Sequence, residues 1–441
     1  MTAMAGAAPQ KSEQHIDKET FKQIFRDHWD AFKTEYPSYN TAYYDQIIQK
    51  MLDCGDPKKM GYVQYRCFQC GHVKKIAFTC KSTFCLSCAK GYTEKWVDFI
   101  SRRLLPNVTY RHVVLTIPEQ LREHFKNDPN LLSEFMKTAH QCLQDTISYL
   151  KEDIVNIGSI IVLQTFGRPA KYNPHVHILV TAGGLNIFNQ WVKCNHIPFS
   201  LLNKKWRYYL LTMLKKYADE NPLLQNDIQY CWNIYENGFV THVQKGSVPK
   251  GGKGIAQYLA KYLVSPPISV RRIQAYDGHY VSFWYHDHKS NDIKHETIPV
   301  IEFIERMVMH ILPKNFHRIR YYGLHASCAY QKYREKLAPI LRFENNDDPN
   351  AYRVVPRKPF AQLFFDGFGK SPLICPNCQE LMVIELIYHP TYGVITDFTD
   401  NYLEPAYVPT KDHSFRERKK MERAQKKVSA QQLSLLPLPD V

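Results

Sequence analysis

The chain lacks any long apolar run. Stretches such as Ile157–Leu163 stop well short of the ~18 residues that a membrane span needs, so no membrane partner is expected. The first residues, MTAMAGAAPQKSEQH, have no basic start followed by an apolar core, so a secretory signal is not expected and a cytoplasmic location is. No internal repeat is visible, which argues against a solenoid. Acidic residues are in deficit, with 42 Asp+Glu against 57 Lys+Arg and a formal net charge of +15. At 44% hydrophobic and 22% charged, the 441 residues are neither disordered nor fibrous in composition, and they suffice for two or three domains with real cores. The basic balance points first to a polyanionic partner.

Cysteine is present, and it is clustered. Random placement of the 12 cysteines would give about 0.3 C-x-x-C pairs, yet there are three: Cys67/Cys70, Cys85/Cys88 and Cys375/Cys378. In a reducing compartment such clustering means metal more often than disulfide. Two thiolates at a tight turn can reach one tetrahedral ion, and the short loop from Cys70 to Cys85 would bring round a second pair. The expectation is therefore structural Zn²⁺ on Cys67, Cys70, Cys85 and Cys88. Cys54 and Cys80 fall in the same stretch, where they either build a second site or pack as small hydrophobes. Cys375/Cys378 has no further pair beside it and would need His389 or another ligand.

Apolar spacing predicts two amphipathic helices between about 20 and 51, then the Cys-rich segment and a basic helix with Lys95, Arg102 and Arg103. Beyond Pro106 the pattern turns to β-branched runs. Strands are predicted at Tyr110–Ile117, Gly158–Phe166, His175–Thr181 (closed by Gly183-Gly184) and Gly238–Gln244, and a hairpin around Asp277-Gly278. Helices are predicted at Leu131–Leu150, Leu201–Tyr217, Ile255–Leu263 and 300–311. Strands alternating with helices, plus a hairpin, make the fold class α+β. Three parts follow: a helical and Cys-rich region 1–105, an α+β domain 106–330, and an accessory region 331–441 with a CxxC knuckle and a basic tail.

Two patterns carry chemistry. His175-Val176-His177 lies in a run continuing Ile-Leu-Val, so on a strand both imidazoles face one side and can share a divalent ion. Chance alone predicts about 0.8 such triplets, and context rather than count singles this one out. Gln164, near the end of the preceding run, offers an amide oxygen as third ligand. Tyr258 and Tyr262, four apart on the expected helix GIAQYLAKYL, would share a face beside Lys261. About 1.9 Y-x-x-x-Y patterns are expected by chance, so this one too needs its context.

The C-x-x-C-G-H and C-x-x-C elements, HVVLTIPEQLR (112–122), VLQTFGRPAKYNPHVHILVTAGG (162–184), YLAKYL (258–263) and HILPKNFHRIRYYGL (310–324) together resemble a known family. It is that of the two-tyrosine HUH transposases of bacterial insertion sequences, relatives of the helitron transposases, which begin with a zinc-binding domain. The resemblance covers roughly residues 50–325, and it implies a central antiparallel sheet flanked by helices in a catalytic domain 106–330, with 1–105 as a zinc-carrying DNA-binding domain. It implies a transposase that nicks and rejoins single-stranded DNA at element ends and in target DNA. It implies His175, His177 and Gln164 as ligands of a catalytic Mg²⁺ or Mn²⁺, and Thr116 on the strand beside them. Tyr258 and Tyr262 would be nucleophiles forming a 5′-phosphotyrosine link. Lys261, Arg102, Arg103, Arg318, Arg320, Tyr321 and Tyr322 are the expected DNA contacts, cations interleaved with stacking rings. A plasmid replication initiator or relaxase with the same chemistry is one alternative. A non-catalytic zinc-finger DNA-binding protein is another.

Overall fold

The computed structural model describes residues 16–105, 108–244, 265–287, 290–345, 357–369 and 371–398. The expected helix at Ile255–Leu263 lies outside them. Two compact units emerge, one from 1–52 with 81–372, the other from 53–80 with 373–441.

In chain order the strands are β1 (Tyr62–Arg66), β2 (Val73–Ala77), β3 (Tyr110–Thr116), β4 (Asn156–Phe166), β5 (Tyr172–Leu185), β6 (Trp191–Lys193), β7 (Thr241–Val243), β8 (Ile273–Tyr276), β9 (Tyr280–His286), β10 (Ile293–Pro299), β11 (Ile319–Gly323), β12 (Val383–His389) and β13 (Gly393–Asp397). The smaller unit is a four-stranded antiparallel sheet in the order β13-β12-β1-β2. Its core is slight: Tyr65, Cys67, Cys375 and Met382 are buried, with Val63, Ile76 and Ile384 packed against them.

The larger unit is built on a six-stranded antiparallel sheet, β11-β4-β5-β3-β7, with β6 added to β5. One face carries Val113, Leu115, Ile161, Leu163, Val176 and Ile178 into the main core, against helices Pro129–Lys151 and Phe199–Lys215. The first of these helices starts at Asp128, whose carboxylate accepts from the N–H groups of Asn130 and Leu131 at 2.8 and 2.9 Å; Pro129 then sits at the first helical position. Trp206 of the second helix is fully buried and donates its indole N–H to Thr116 O at 2.8 Å, which fixes the end of β3. The opposite face places Tyr110, Ile160, Val162 and Leu179 in a separate cluster with Val97 and Ile100 of helix Ala89–Ser101. The mixed α+β class and the antiparallel sheet flanked by helices agree with the sequence.

The structure departs from the sequence pattern in several places. Gly183-Gly184 read as a strand terminator, yet β5 runs on to Leu185. The reason is close approach of β6: Gly183 has φ +138°, and a Cβ there would lie 2.3 Å from Val192 O. The sheet of β1, β2, β12 and β13 went unread because its two hairpins are distant in the chain. A three-stranded sheet, β10-β9-β8, extends the predicted hairpin by one strand.

Candidate active site and metal centres

On the central strands, register decides the site. Gln164 of β4 lies opposite His175 of β5, while on the other side Thr116 and Val114 of β3 lie opposite His175 and His177. Residues directly opposite in antiparallel strands project to the same face. Gln164, His175, His177 and Thr116 therefore share one face, with Val176 pointing the other way into the main core. Gln164 Oε1 stands 3.0 Å from His175 Nε2 and 2.9 Å from His177 Nε2. Three donor atoms meet at one point, as the sequence spacing anticipates.

Hydrogen bonds behind the site orient both rings. His175 Nδ1 lies 2.7 Å from Asn173 O, and since a carbonyl only accepts, Nδ1 carries the proton. Burial pushes His175 below the ordinary imidazole value, so the ring is neutral and its Nε2 is a bare lone pair. With the amide oxygen of Gln164 turned inward, that lone pair faces a second acceptor. Two acceptors at this separation suit a shared cation, and imidazole nitrogen with amide oxygen is a donor set that divalent first-row ions accept. The residues fit the expected ion.

His112 of β3 was not among the residues expected from the sequence. Its Nε2 lies 3.0 Å from His177 Nδ1, and the two rings stack 5.2 Å apart at 7°. Burial holds His112 near 4 and His177 well below the ordinary value, so both rings are neutral. For His177 to offer Nε2 to an ion, its Nδ1 donates and His112 accepts, the arrangement that orients metal-binding histidines generally. The signal available in the sequence was alternation, since His112, Val114 and Thr116 share a strand face. The alignment of β3 with β5 was not available.

Tyr258, Tyr262 and Lys261 lie outside the described residues. The expected DNA contacts are largely engaged internally. Arg102 pairs with the buried Asp98 at 3.0 Å. Arg103 lies over the rings of Tyr321 and Tyr330, 4.3 and 5.0 Å from their centres, and donates to His325 O. Arg320 donates to Ser133 Oγ at 2.6 Å, and Tyr322 stacks on His140. Cations interleaved with rings mark a nucleic-acid face and an internal cation–π stack alike.

The cysteine expectation needs correction. The structure gathers Cys67 and Cys70 with Cys375 and Cys378, not with Cys85 and Cys88. Sγ separations are 3.4 Å for Cys67–Cys378, 3.6 Å for Cys70–Cys375 and 3.5 Å for Cys70–Cys378. Four thiolates ~2.3 Å from one ion would stand about 3.8 Å apart, so the cluster is close to the size a tetrahedral zinc site requires. The two turns are also built alike. Gly71 N–H donates to Cys67 O and Gln379 N–H to Cys375 O, while Cys67 N–H donates to His72 O and Cys375 N–H to Glu380 O. Gly71 and Gln379 both adopt positive φ, 71° and 64°. The physical reason is pairing of β1 with β12: Arg66 opposite Val383 brings the turn after β1 beside the turn before β12. Loop length along the chain could not reveal this. Cys54 accepts from Cys80 N–H at 3.4 Å, and Cys85 O accepts from Cys88 N–H at 3.1 Å.

Among the described residues, no helix is long and apolar enough to cross a membrane. Comparison with known proteins assigns the chain to a family. Residues 24–117 match the family model described as "Transposase zinc-binding domain", and residues 158–332 the one described as "Putative transposase". The chain is 30% identical over 351 residues to the transposase of insertion sequence element IS801 from Pseudomonas savastanoi pv. phaseolicola, covering 77% of this chain and 82% of that protein. It is 26% identical over 382 residues to "Putative transposase y4qJ" of Sinorhizobium fredii, covering 82% and 94%. No solved structure matches the chain significantly. The chain belongs to the IS801/IS91-type transposases of insertion sequences, carrying their zinc-binding and transposase domains in that order.

Proposed function

We propose that this transposase nicks and rejoins single-stranded DNA at the ends of its element, and in target DNA, through a 5′-phosphotyrosine link. The observation that carries the reading is the convergence of His175 Nε2, His177 Nε2 and Gln164 Oε1 within 3.0 Å on one sheet face. A divalent ion held there, Mg²⁺ or Mn²⁺, would polarise the scissile phosphate and offset charge developing on it. Asn173 O and His112 hold the two rings so that both Nε2 atoms point inward.

Tyr258 and Tyr262 are the nucleophiles in this reading. A phenol with a free pKa near ~10 is a weak nucleophile and must lose its proton as it attacks. The Tyr oxygen bonds to phosphorus, the bond to the 3′ oxygen breaks, and that oxygen leaves as a hydroxyl after taking up a proton. The phosphotyrosine keeps the energy of the phosphodiester, so a later 3′-hydroxyl can reverse the step without a nucleotide cofactor. Two tyrosines let two strands be held at once. In the same reading 1–105 grips DNA, 106–330 cuts it, and 331–441 assists with its basic tail. The knuckle cysteines hold structural zinc, and Cys54 and Cys80 hold a second ion or pack as thiols.

The test is a labelled single strand bearing one element terminus, incubated with the protein and Mn²⁺. A covalent adduct should form with wild type and vanish in the Tyr258→Phe/Tyr262→Phe double variant. Binding without any adduct would leave only a DNA-binding protein. An adduct in the double variant would move the chemistry to another residue.

A further inference from the structure

Beside the catalytic strands, within the larger unit, lies a cavity of about 530 Å³. Its wall comes from five stretches of chain: Tyr43 and Ile47, residues 81–84 with Trp96 and Phe99, Phe166, Ser265 with Pro267, and residues between 310 and 321. Trp96, Phe99, Phe166 and Phe316 line it, each only partly buried. Cationic side chains also line it, Arg318 and the exposed Lys81. No carboxylate is among its described lining residues, in a chain that carries 42 of them.

Position adds to composition. Phe166 ends β4 two residues beyond Gln164, so one wall of the cavity is an extension of the strand that bears the amide ligand. On another side Ser265 follows Tyr262 by three residues in the chain. The cavity thus adjoins the ligand strand in space and the nucleophile segment in sequence.

We propose that this cavity receives an unstacked base of the single strand, next to the phosphate that is cut. The proposal rests on the single-strand-cutting function given above and names the substrate group bound beside that centre. The volume falls in the range of small-ligand sites and admits a nucleobase with its sugar. Aromatic faces supply stacking, which every base can use, and the cations serve the flanking phosphates. The described lining residues carry no carboxylate to repel a phosphate chain. Taking one base out of the stack also bends the strand at that step, which presents the adjoining phosphodiester to an attacking group. Recognition by stacking is tolerant of base identity, so the site fixes position more than sequence.

The experiment walks a single abasic nucleotide along an element-terminus strand and measures affinity and adduct formation with the full-length protein. Stacking is worth roughly 5- to 150-fold in affinity per base. One position near the cut should show such a loss with wild type. Phe316→Ala should weaken binding of the intact strand by a similar factor, with no further loss when that same position is abasic. Thr83→Trp, which adds bulk at a lining position without removing a packed ring, should reproduce the effect, and Phe316→Tyr should restore it. Losses that multiply instead of overlapping would overturn the proposal, as would an unchanged affinity in Thr83→Trp; the cavity would then take a small metabolite or a segment of the chain itself. The two readings separate cleanly. Overlapping losses without a covalent adduct would sink the cutting function and keep the base pocket, whereas an adduct with multiplying losses would do the reverse.

Discussion

The thiol knuckle and the His–Gln site each gather donors around one point, but their ligands come from very different distances. Cys70 and Cys375 meet across 305 residues, whereas Gln164 and His175 are 11 apart on adjoining strands. The surroundings differ as much. Around the thiols the sheet buries little more than Tyr65, Cys67, Cys375 and Met382. Around the histidines the sheet is closed on one face by a continuous core from Val113 to Trp206 and beyond. In the first region a bound ion would supply cohesion that the slight core does not. In the second, a continuous apolar core supports the sheet that carries the three donors.

The largest expected effect breaks the knuckle. Cys375→Ser, or removal of zinc with a chelator, should abolish amide-exchange protection over 62–77 and 383–397 while 110–185 stays protected. Hydrogen exchange with mass spectrometry reads both at once. Persistent protection of the small sheet without zinc would show that its apolar contacts suffice.

An intermediate effect sharpens the other side. His112→Ala leaves His177 Nδ1 without its acceptor, and Mn²⁺ affinity should fall about 10- to 100-fold while the melting temperature barely moves. His112→Gln keeps an acceptor and should recover most of the affinity. A purely structural role would give the opposite pattern, a lower melting temperature with affinity intact.

The smallest effect is graded with pH. Burial holds His140 and His310 near 4 and His325 near 3 in the folded chain. Below the ordinary value of ~6.5 the unfolded chain takes up protons that the folded one refuses. Their contribution to stability is therefore complete above that value and lost as pH falls toward 4. Thermal melting from pH 7 to 5 should show a steady decline in the larger unit; a flat or rising profile would mean these rings gain partners when charged.

Local pattern made most of the six-stranded sheet legible. Val-Val-Leu-Thr at 113–116, the run into Gln164, and His175-Val176-His177 each announce a strand and the face it presents. What stayed hidden depends on which strands become neighbours. His112 matters only because β3 lies against β5 in a register that sets Val114 opposite His177. Cys375 and Cys378 look like an orphan pair until β12 pairs with β1. Arg103 and Tyr321, read as a surface for nucleic acid, turn out to stack on each other. Alternation fixes a side chain's face; only pairing decides what it meets there.

The claim that the ion on the His–Gln face is the one that cutting requires can be tested directly. Mn²⁺ is titrated into wild type and His177→Ala, its binding followed by electron paramagnetic resonance, and cleavage of a terminus-bearing single strand measured in the same samples. The account predicts that His177→Ala loses the bound-ion signal and strand cleavage together, while keeping its melting temperature and most of its DNA affinity. Undiminished cleavage in His177→Ala would contradict it.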